Sequence, residues 1–376
     1  VTLKERFLYA VLWPFYHSKF RFAINCIDFD RERLDPYILI GNHASLHDAL
    51  YTLIHLKNKY PYPVMNNFLI TKKFMELILT KLIHAVSKRK GQSDVSAVKG
   101  MMHVIKDLKR GILLYPEGNA SYFGKESDFP YSTVKFFKKM EIDIVICKAN
   151  GAYLAAPRWG IPVKKGFIEL NFYTIYKGEE LALANLDDIY TKIKKAIEFN
   201  DFDWNRVQKH KYDNKTKALG LEKYIYICPH CNKHQCLSTK KNGVYCIHCG
   251  KIAEFNQYGL LEGLPFDNLV DWDEYQKHFL DQIARTTIKT IGKLNLVNTK
   301  KLRLHKLGNV NIILDNNCLH LEGRRVNYDF EVEKITGLIL TKKQDLSFEY
   351  EDNTYYLPTK DPMIILDTIN YLKGGY

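Results

Sequence analysis

The chain of 376 residues has no apolar stretch near the roughly 20 residues that a membrane-spanning helix requires; the longest, Phe7 to Tyr16, has ten. That run also lacks the small-residue cleavage site expected of a signal peptide. Acidic residues are in deficit, 42 against 55 lysines and arginines, for a formal net charge of +13. An anionic partner follows: nucleic acid, a phosphate-bearing substrate or an acidic membrane surface. Between Thr71 and Arg110 there are ten basic residues against three acidic ones. There is no internal repeat and no low-complexity tract, which removes solenoids and disordered linkers from consideration. The eight cysteines do not read as a disulfide framework. Four of them form Cys228-Pro229-His230-Cys231 and Cys246-Ile247-His248-Cys249, separated by fourteen residues, which is zinc-ribbon spacing and suggests a reducing compartment.

The length implies two or more domains. Two short apolar runs in the first half each end in a polar turn. Tyr37-Ile38-Leu39-Ile40 leads into Gly41-Asn42-His43-Ala44-Ser45-Leu46-His47-Asp48, and Gly111-Ile112-Leu113-Leu114-Tyr115 leads into Pro116-Glu117-Gly118-Asn119-Ala120-Ser121. Ligands of open α/β sheets bind beyond the carboxyl ends of the strands, so parallel pairing would bring both turns to one edge. Imidazole takes a proton near neutral pH, and a carboxylate one helical turn away can hold its ring. Alone, the His43–Asp48 spacing is common, and a solvated helix start capped by Asn42 or Ser45 would explain it.

The pair Asn42-His43-x4-Asp48 and Pro116-Glu117-Gly118 resembles the first and third motifs of the glycerolipid acyltransferases, the lysophosphatidate acyltransferase family. Gly151-Ala152-Tyr153-Leu154 and Pro157-Arg158-Trp159 resemble a segment of its bacterial members. The resemblance implies an α/β acyltransferase domain that moves a fatty acyl group from acyl-CoA or acyl carrier protein to a lysophospholipid hydroxyl. It implies His43 as general base and Asp48 as its orienting partner. Glu117 would bind an acceptor hydroxyl or brace the turn, and amides around Gly118 would hold the oxyanion. His47 competes with His43 as the base and is read as structural. The second motif's cation falls on Arg89 or Lys88, with Arg89 first because a guanidinium grips a phosphate in bidentate fashion. This chain departs from the third motif: the usual arginine is Ala120, with Ser121 retained, and Arg158 or Lys148 would substitute. The fourth motif's prolines are missing around Ile142 to Cys147, where an apolar strand remains.

The expected organisation is an N-terminal amphipathic membrane-interface segment over 1–25 and an acyltransferase domain over 26–220. A zinc ribbon over 221–262, a helical linker over 263–292 and a β-rich domain with a C-terminal helix over 293–376 complete the chain. Strands are expected at Phe68-Leu69-Ile70 and Lys165 to Tyr176. Helices are expected over Leu46–Lys59, Lys72–His84, up to about Lys109, Leu186–Phe199, Asp267–Ile291 and Asp361–Leu372, with Asp201–Gly220 a loop. The terminal meander looks like a pleckstrin-homology-type fold. The four cysteines predict a structural zinc with no open position; His230, His248 and Cys236 are reserve ligands. The expected setting is peripheral, at the cytoplasmic face of the cell membrane, in contact with anionic lipids. Two rival readings are a zinc-ribbon protein that binds nucleic acid and a non-catalytic lipid-binding adaptor. The basic residues are densest around the first-half motifs, not around the cysteines, which counts against nucleic acid.

Overall fold

The structure, a computed structural model, describes residues 3–56, 60–66, 84–88, 95–163, 165–212, 214–298, 303–324 and 326–375. A helix α1 (Leu3–His17) precedes a mixed sheet of seven strands. These are β1 (Phe20–Ile27), β2 (Ile38–Gly41), β3 (Tyr62–Asn66), β4 (Val86–Lys88), β5 (Ile112–Leu114), β6 (Ile144–Asn150) and β7 (Gly166–Tyr176), in the order β1-β7-β6-β2-β5-β3-β4. Strands β2, β3, β4, β5 and β6 are parallel, β7 runs antiparallel to β6, and β1 is parallel to β7.

The central strands are continuous apolar runs because the sheet is covered on both faces. Ile38, Ile40, Ile112, Leu114, Ile144 and Ile146 face one core, with residues of α3 (Val95–Lys106), α4 (Ser132–Met140) and α7 (Leu186–Ile197). Leu39, Leu113, Val145 and Cys147 face the other, with Tyr51 and Leu53 of α2 (Asp48–Leu53) and with Tyr153 of α5 (Ala152–Ala155). A further short helix, α6 (Gly178–Leu183), follows β7. The second core does not stop at the first sheet. It continues through Tyr224 and Trp272 to Phe348 and Ile365, so the C-terminal half packs on the side of the sheet that carries α2.

Residues 237–262 form an antiparallel four-stranded sheet, β8 (Leu237–Lys240), β9 (Gly243–Cys246), β10 (Gly250–Phe255) and β11 (Leu261–Glu262). The β8–β9 turn is tight, and its left-handed residue is Lys241 at φ +56°. Asn242 is held by its side-chain oxygen, which accepts the Lys217 amide at 3.0 Å. The last part is a seven-stranded antiparallel sheet of β12 (Ile288–Asn298), β13 (Arg303–Asp315), β14 (Cys318–Gly323), β15 (Val326–Glu331), β16 (Thr336–Thr341), β17 (Asp345–Tyr350) and β18 (Asn353–Leu357). Two meanders meet where β12 pairs with β18, and the terminal helix Pro362–Leu372 packs its buried residues onto the result.

Several expectations shift. The Leu46–Lys59 helix is only Asp48–Leu53 among the described residues. The strand expected at 68–70 lies outside them, as does the helix expected from Lys72 up to residue 83. The segment read as a loop after Asp201 opens with a helix, α8 (Asp201–Gln208). Asn200 caps it by accepting the Phe202 and Asp203 amides, and Phe202 supplies a buried anchor. The helical reading of Asp267–Ile291 resolves into Leu269–Lys277 and Leu280–Ala284. The β-branched run Thr286-Thr287-Ile288 then passes into β12.

Candidate active site

Parallel neighbours β2 and β5 end at the same edge, and their two polar turns meet there. The first turn is fixed from beneath. The buried Asn42 side chain donates to the Ala149 carbonyl at 2.8 Å and accepts the Ala149 amide at 2.7 Å, which fastens the end of β2 to β6. Gly41 is needed because a Cβ there would stand 2.5 Å from the Tyr115 ring. Tyr115 uses that space to stack on His43, centroids 4.4 Å apart.

His43 Nδ1 lies 3.0 Å from Asp48 Oδ2, and the same oxygen accepts the Ser45 amide at 2.7 Å. A carboxylate only accepts, so Nδ1 carries the proton and Nε2 presents the lone pair. The His43 side chain is 19% exposed and Asp48 is buried. Burial pushes the Asp48 carboxyl well above its usual range, against the pull of the Ser45 and Ala44 amides. An imidazolium beside it offsets that cost by charge pairing.

The second turn is locked to the first. Glu117 Oε1 accepts the His43 amide at 2.9 Å, and the Ser121 amide donates to the His43 carbonyl at 2.7 Å. Burial raises the Glu117 carboxyl to about 8, with its backbone donors opposing. Its Oε2 is buried and meets no donor among the described residues. Gly118 adopts φ +74°, a conformation side chains resist. Its own amide donates to the Tyr115 carbonyl at 3.1 Å and is engaged within the turn.

Other expected residues are placed differently. The Ser121 hydroxyl donates to the Lys125 carbonyl at 2.6 Å and accepts the Gly124 amide at 2.9 Å, and so braces its own turn. Arg158, expected to replace the missing arginine, is 2% exposed. Its Nη1 donates to Asn119 Oδ1 and the Ala120 carbonyl, Nη2 to the Leu340 carbonyl and Nε to the Lys343 carbonyl. A fork committed in this way is a tie within the protein. Arg89 and the Lys88 side chain lie outside the described residues. His47 is half-buried beside Tyr16, whose hydroxyl is 3.0 Å from Nδ1. Burial, with Lys343 and Lys19 nearby, lowers it to about 4, so it stays neutral and structural.

Two residues beyond the expected set matter. Tyr115 fixes the imidazole plane. Asp201 is buried and accepts the Gly151 and Tyr153 amides at 2.9 and 2.8 Å, holding the segment that leads to Arg158. The acidic start of a capped helix after Asn200 was the available signal.

The sulfurs of Cys228, Cys231, Cys246 and Cys249 lie within 4.8 Å of one another, in no disulfide. The Cys246 thiol is buried, which opposes ionisation, but amides of His248 and Cys249 bring it down to about 6. Four converging thiols, one of them stabilised as a thiolate, fit a tetrahedral metal ion with no open position. His230, a reserve ligand, points to the Gly263 carbonyl at 3.3 Å.

Residues 24–168 match the family model described as Acyltransferase, so that segment is an acyltransferase domain. Among solved structures it is similar to the 1-acyl-sn-glycerophosphate (LPA) acyltransferase PlsC of Thermotoga maritima. That likeness has 14% identity and a TM-score of 0.40 over 51% of this chain and 78% of that one. It is also similar to inner membrane complex sub-compartment protein 3 of Toxoplasma gondii, at 10% identity and a TM-score of 0.19, over 26% of this chain and 81% of that one. Both scores are too low to carry an argument. No curated protein matches the chain. Among the described residues, no helix is long and apolar enough to cross a membrane.

Proposed function

We propose that this protein transfers a fatty acyl group from acyl-CoA or acyl carrier protein to the hydroxyl of a lysophospholipid, a lysophosphatidate-like acceptor, as an enzyme of phospholipid biosynthesis. The observation that carries the reading is the His43–Asp48 pair, held at 3.0 Å in a turn whose backbone is bonded to Glu117. His43 Nε2 takes the acceptor hydroxyl proton as that oxygen attacks the thioester carbonyl carbon. Asp48 keeps the proton of Nδ1 in place and balances the imidazolium. The C–S bond then breaks, and the imidazolium returns the proton to the leaving thiolate. No covalent enzyme intermediate is needed. Glu117 Oε1 accepts the His43 amide and so braces the His43 turn from the side of the β5 turn.

Cys228, Cys231, Cys246 and Cys249 would hold a structural zinc, which would fasten the two cysteine turns of a ribbon. The two terminal meanders capped by one helix fit a pleckstrin-homology-like reading. Attachment is peripheral, at the cytoplasmic face of an anionic membrane. Val11 and Phe15 of α1, 49% and 48% exposed, are suited to the bilayer interface, and Lys19 stands over the Phe15 ring at 4.2 Å.

The test is acyl transfer by zinc-loaded protein from a labelled thioester, on either carrier, to a panel of lysolipids. Transfer that vanishes in His43→Ala supports the reading. No transfer to any lysolipid from either donor by folded protein overturns it.

A further inference from the structure

The Ala120 substitution and the C-terminal half of the chain have no stated connection, yet they meet at Arg158. Its guanidinium bonds on one side to Asn119 Oδ1 and the Ala120 carbonyl, in the turn after β5, and on the other to the Leu340 and Lys343 carbonyls around the β16–β17 turn. Leu340 is engaged twice, since its amide donates to the Tyr122 hydroxyl. That hydroxyl also accepts Asn119 Nδ2 at 3.1 Å, and the Arg158 guanidinium lies 5.0 Å from the Tyr122 ring centre. Lys343 Nζ donates to the Gly160 carbonyl at 2.7 Å, and the Tyr224 hydroxyl donates to the Lys343 carbonyl. Ala120 has no exposed surface, so an arginine in its place would have to displace what packs there.

A buried guanidinium is tolerated only while its donors are matched; each donor left unmatched costs about 1–3 kcal/mol. Arg158 is satisfied with the β16–β17 turn in place and the Asn119 and Ala120 oxygens turned toward it. Either half moving alone strands part of the fork.

We propose that the β16–β17 turn is a positioning element for the acceptor side of the acyl-transfer site, acting through Arg158 on the Asn119–Ala120 turn. This rests on the reading of that turn, with Glu117, as the acceptor side. Arg158 is a positioning residue, and the C-terminal sheet is a working part of the site.

The experiment uses the full-length, zinc-loaded protein with Arg158→Ala and Arg158→Lys. Hydrogen exchange is followed at residues 116–124 and 339–345, and steady-state constants are measured with donor and acceptor varied separately. The expected result for Arg158→Ala is faster exchange in both segments together. Its kcat/KM for the acceptor falls about tenfold or more, as misplacement of a substrate-holding turn does, while donor KM stays within about twofold. Arg158→Lys, which keeps the charge and loses the fork, recovers less than half of the loss. Unchanged exchange at 116–124, or donor and acceptor constants that fall in equal proportion, overturns the proposal. If the unsubstituted protein transfers no acyl group, the functional reading fails, and the exchange measurement still decides whether the two segments are coupled.

Discussion

The turns after β2 and β5 sit side by side and are built on opposite plans. The first, Gly41 to Asp48, is held from within its own domain: Asn42 on β6, Asp48 on the Ser45 amide, Tyr115 over the ring. The second, Pro116 to Ser121, is held on one flank by the His43 backbone and on the other by Arg158, whose remaining bonds reach the C-terminal sheet. On the proposed reading the first turn places the reacting groups, and the sheet beneath it fixes their geometry. On that reading the second carries the acceptor side, and Arg158 ties it to a separate sheet. The C-terminal half then bears directly on acceptor placement, and on His43 only through the bonds that lock the two turns together.

Substitutions at the first turn give the largest expected loss. His43→Ala lowers kcat by about 10³-fold, within the range for general-base removal, and Asp48→Asn by about 10²-fold, with unchanged circular dichroism. A His43→Ala protein that transfers as well as the unsubstituted one would break the contrast outright. Next is the metal. Chelation, or Cys228→Ser, lowers the melting temperature by on the order of 5–10 °C. Because Tyr224, just ahead of Cys228, bonds to the Lys343 carbonyl, transfer falls with it; scanning calorimetry with a parallel assay checks both.

Glu117 sharpens the comparison through pH. Its folded carboxyl is raised to about 8 from an ordinary 4.5. The neutral form is the one the fold favours, so its contribution is full below pH 4.5 and is lost as pH rises toward 8. Melting curves from pH 5 to 9 should show the native protein losing stability relative to Glu117→Gln across that window. The smallest effect is at Lys343→Ala, which removes one bond to the Gly160 carbonyl. Its cost is about 1 kcal/mol or less, and transfer stays within about twofold.

Much of the site was legible because its signals are local. His43, Asp48 and Glu117 follow apolar runs, and the parallel pairing of β2 and β5 brings them together without further information. The four cysteines were equally readable from spacing. What could not be read is what depends on distant partners. Arg158 has an exposed cation's sequence and a buried tie's environment, fixed by carbonyls 182 and 185 residues further along. Ser121 looked like a free hydroxyl until the Lys125 carbonyl was placed beside it. The Asp201 helix was missed because a run of charge was read as loop, although Asn200 and the two aspartates supply the cap.

The order in which the chain is made adds a consequence of the sheet. Among the described residues strand β1 pairs only with β7, Phe20 opposite Gly166 and Ile27 opposite Tyr173. During synthesis β1 therefore waits, edge unpaired, until residues beyond 173 have left the ribosome, and Asn42 waits likewise for Ala149. Throughout that interval the aromatic helix ahead of β1 has no finished sheet to dock on.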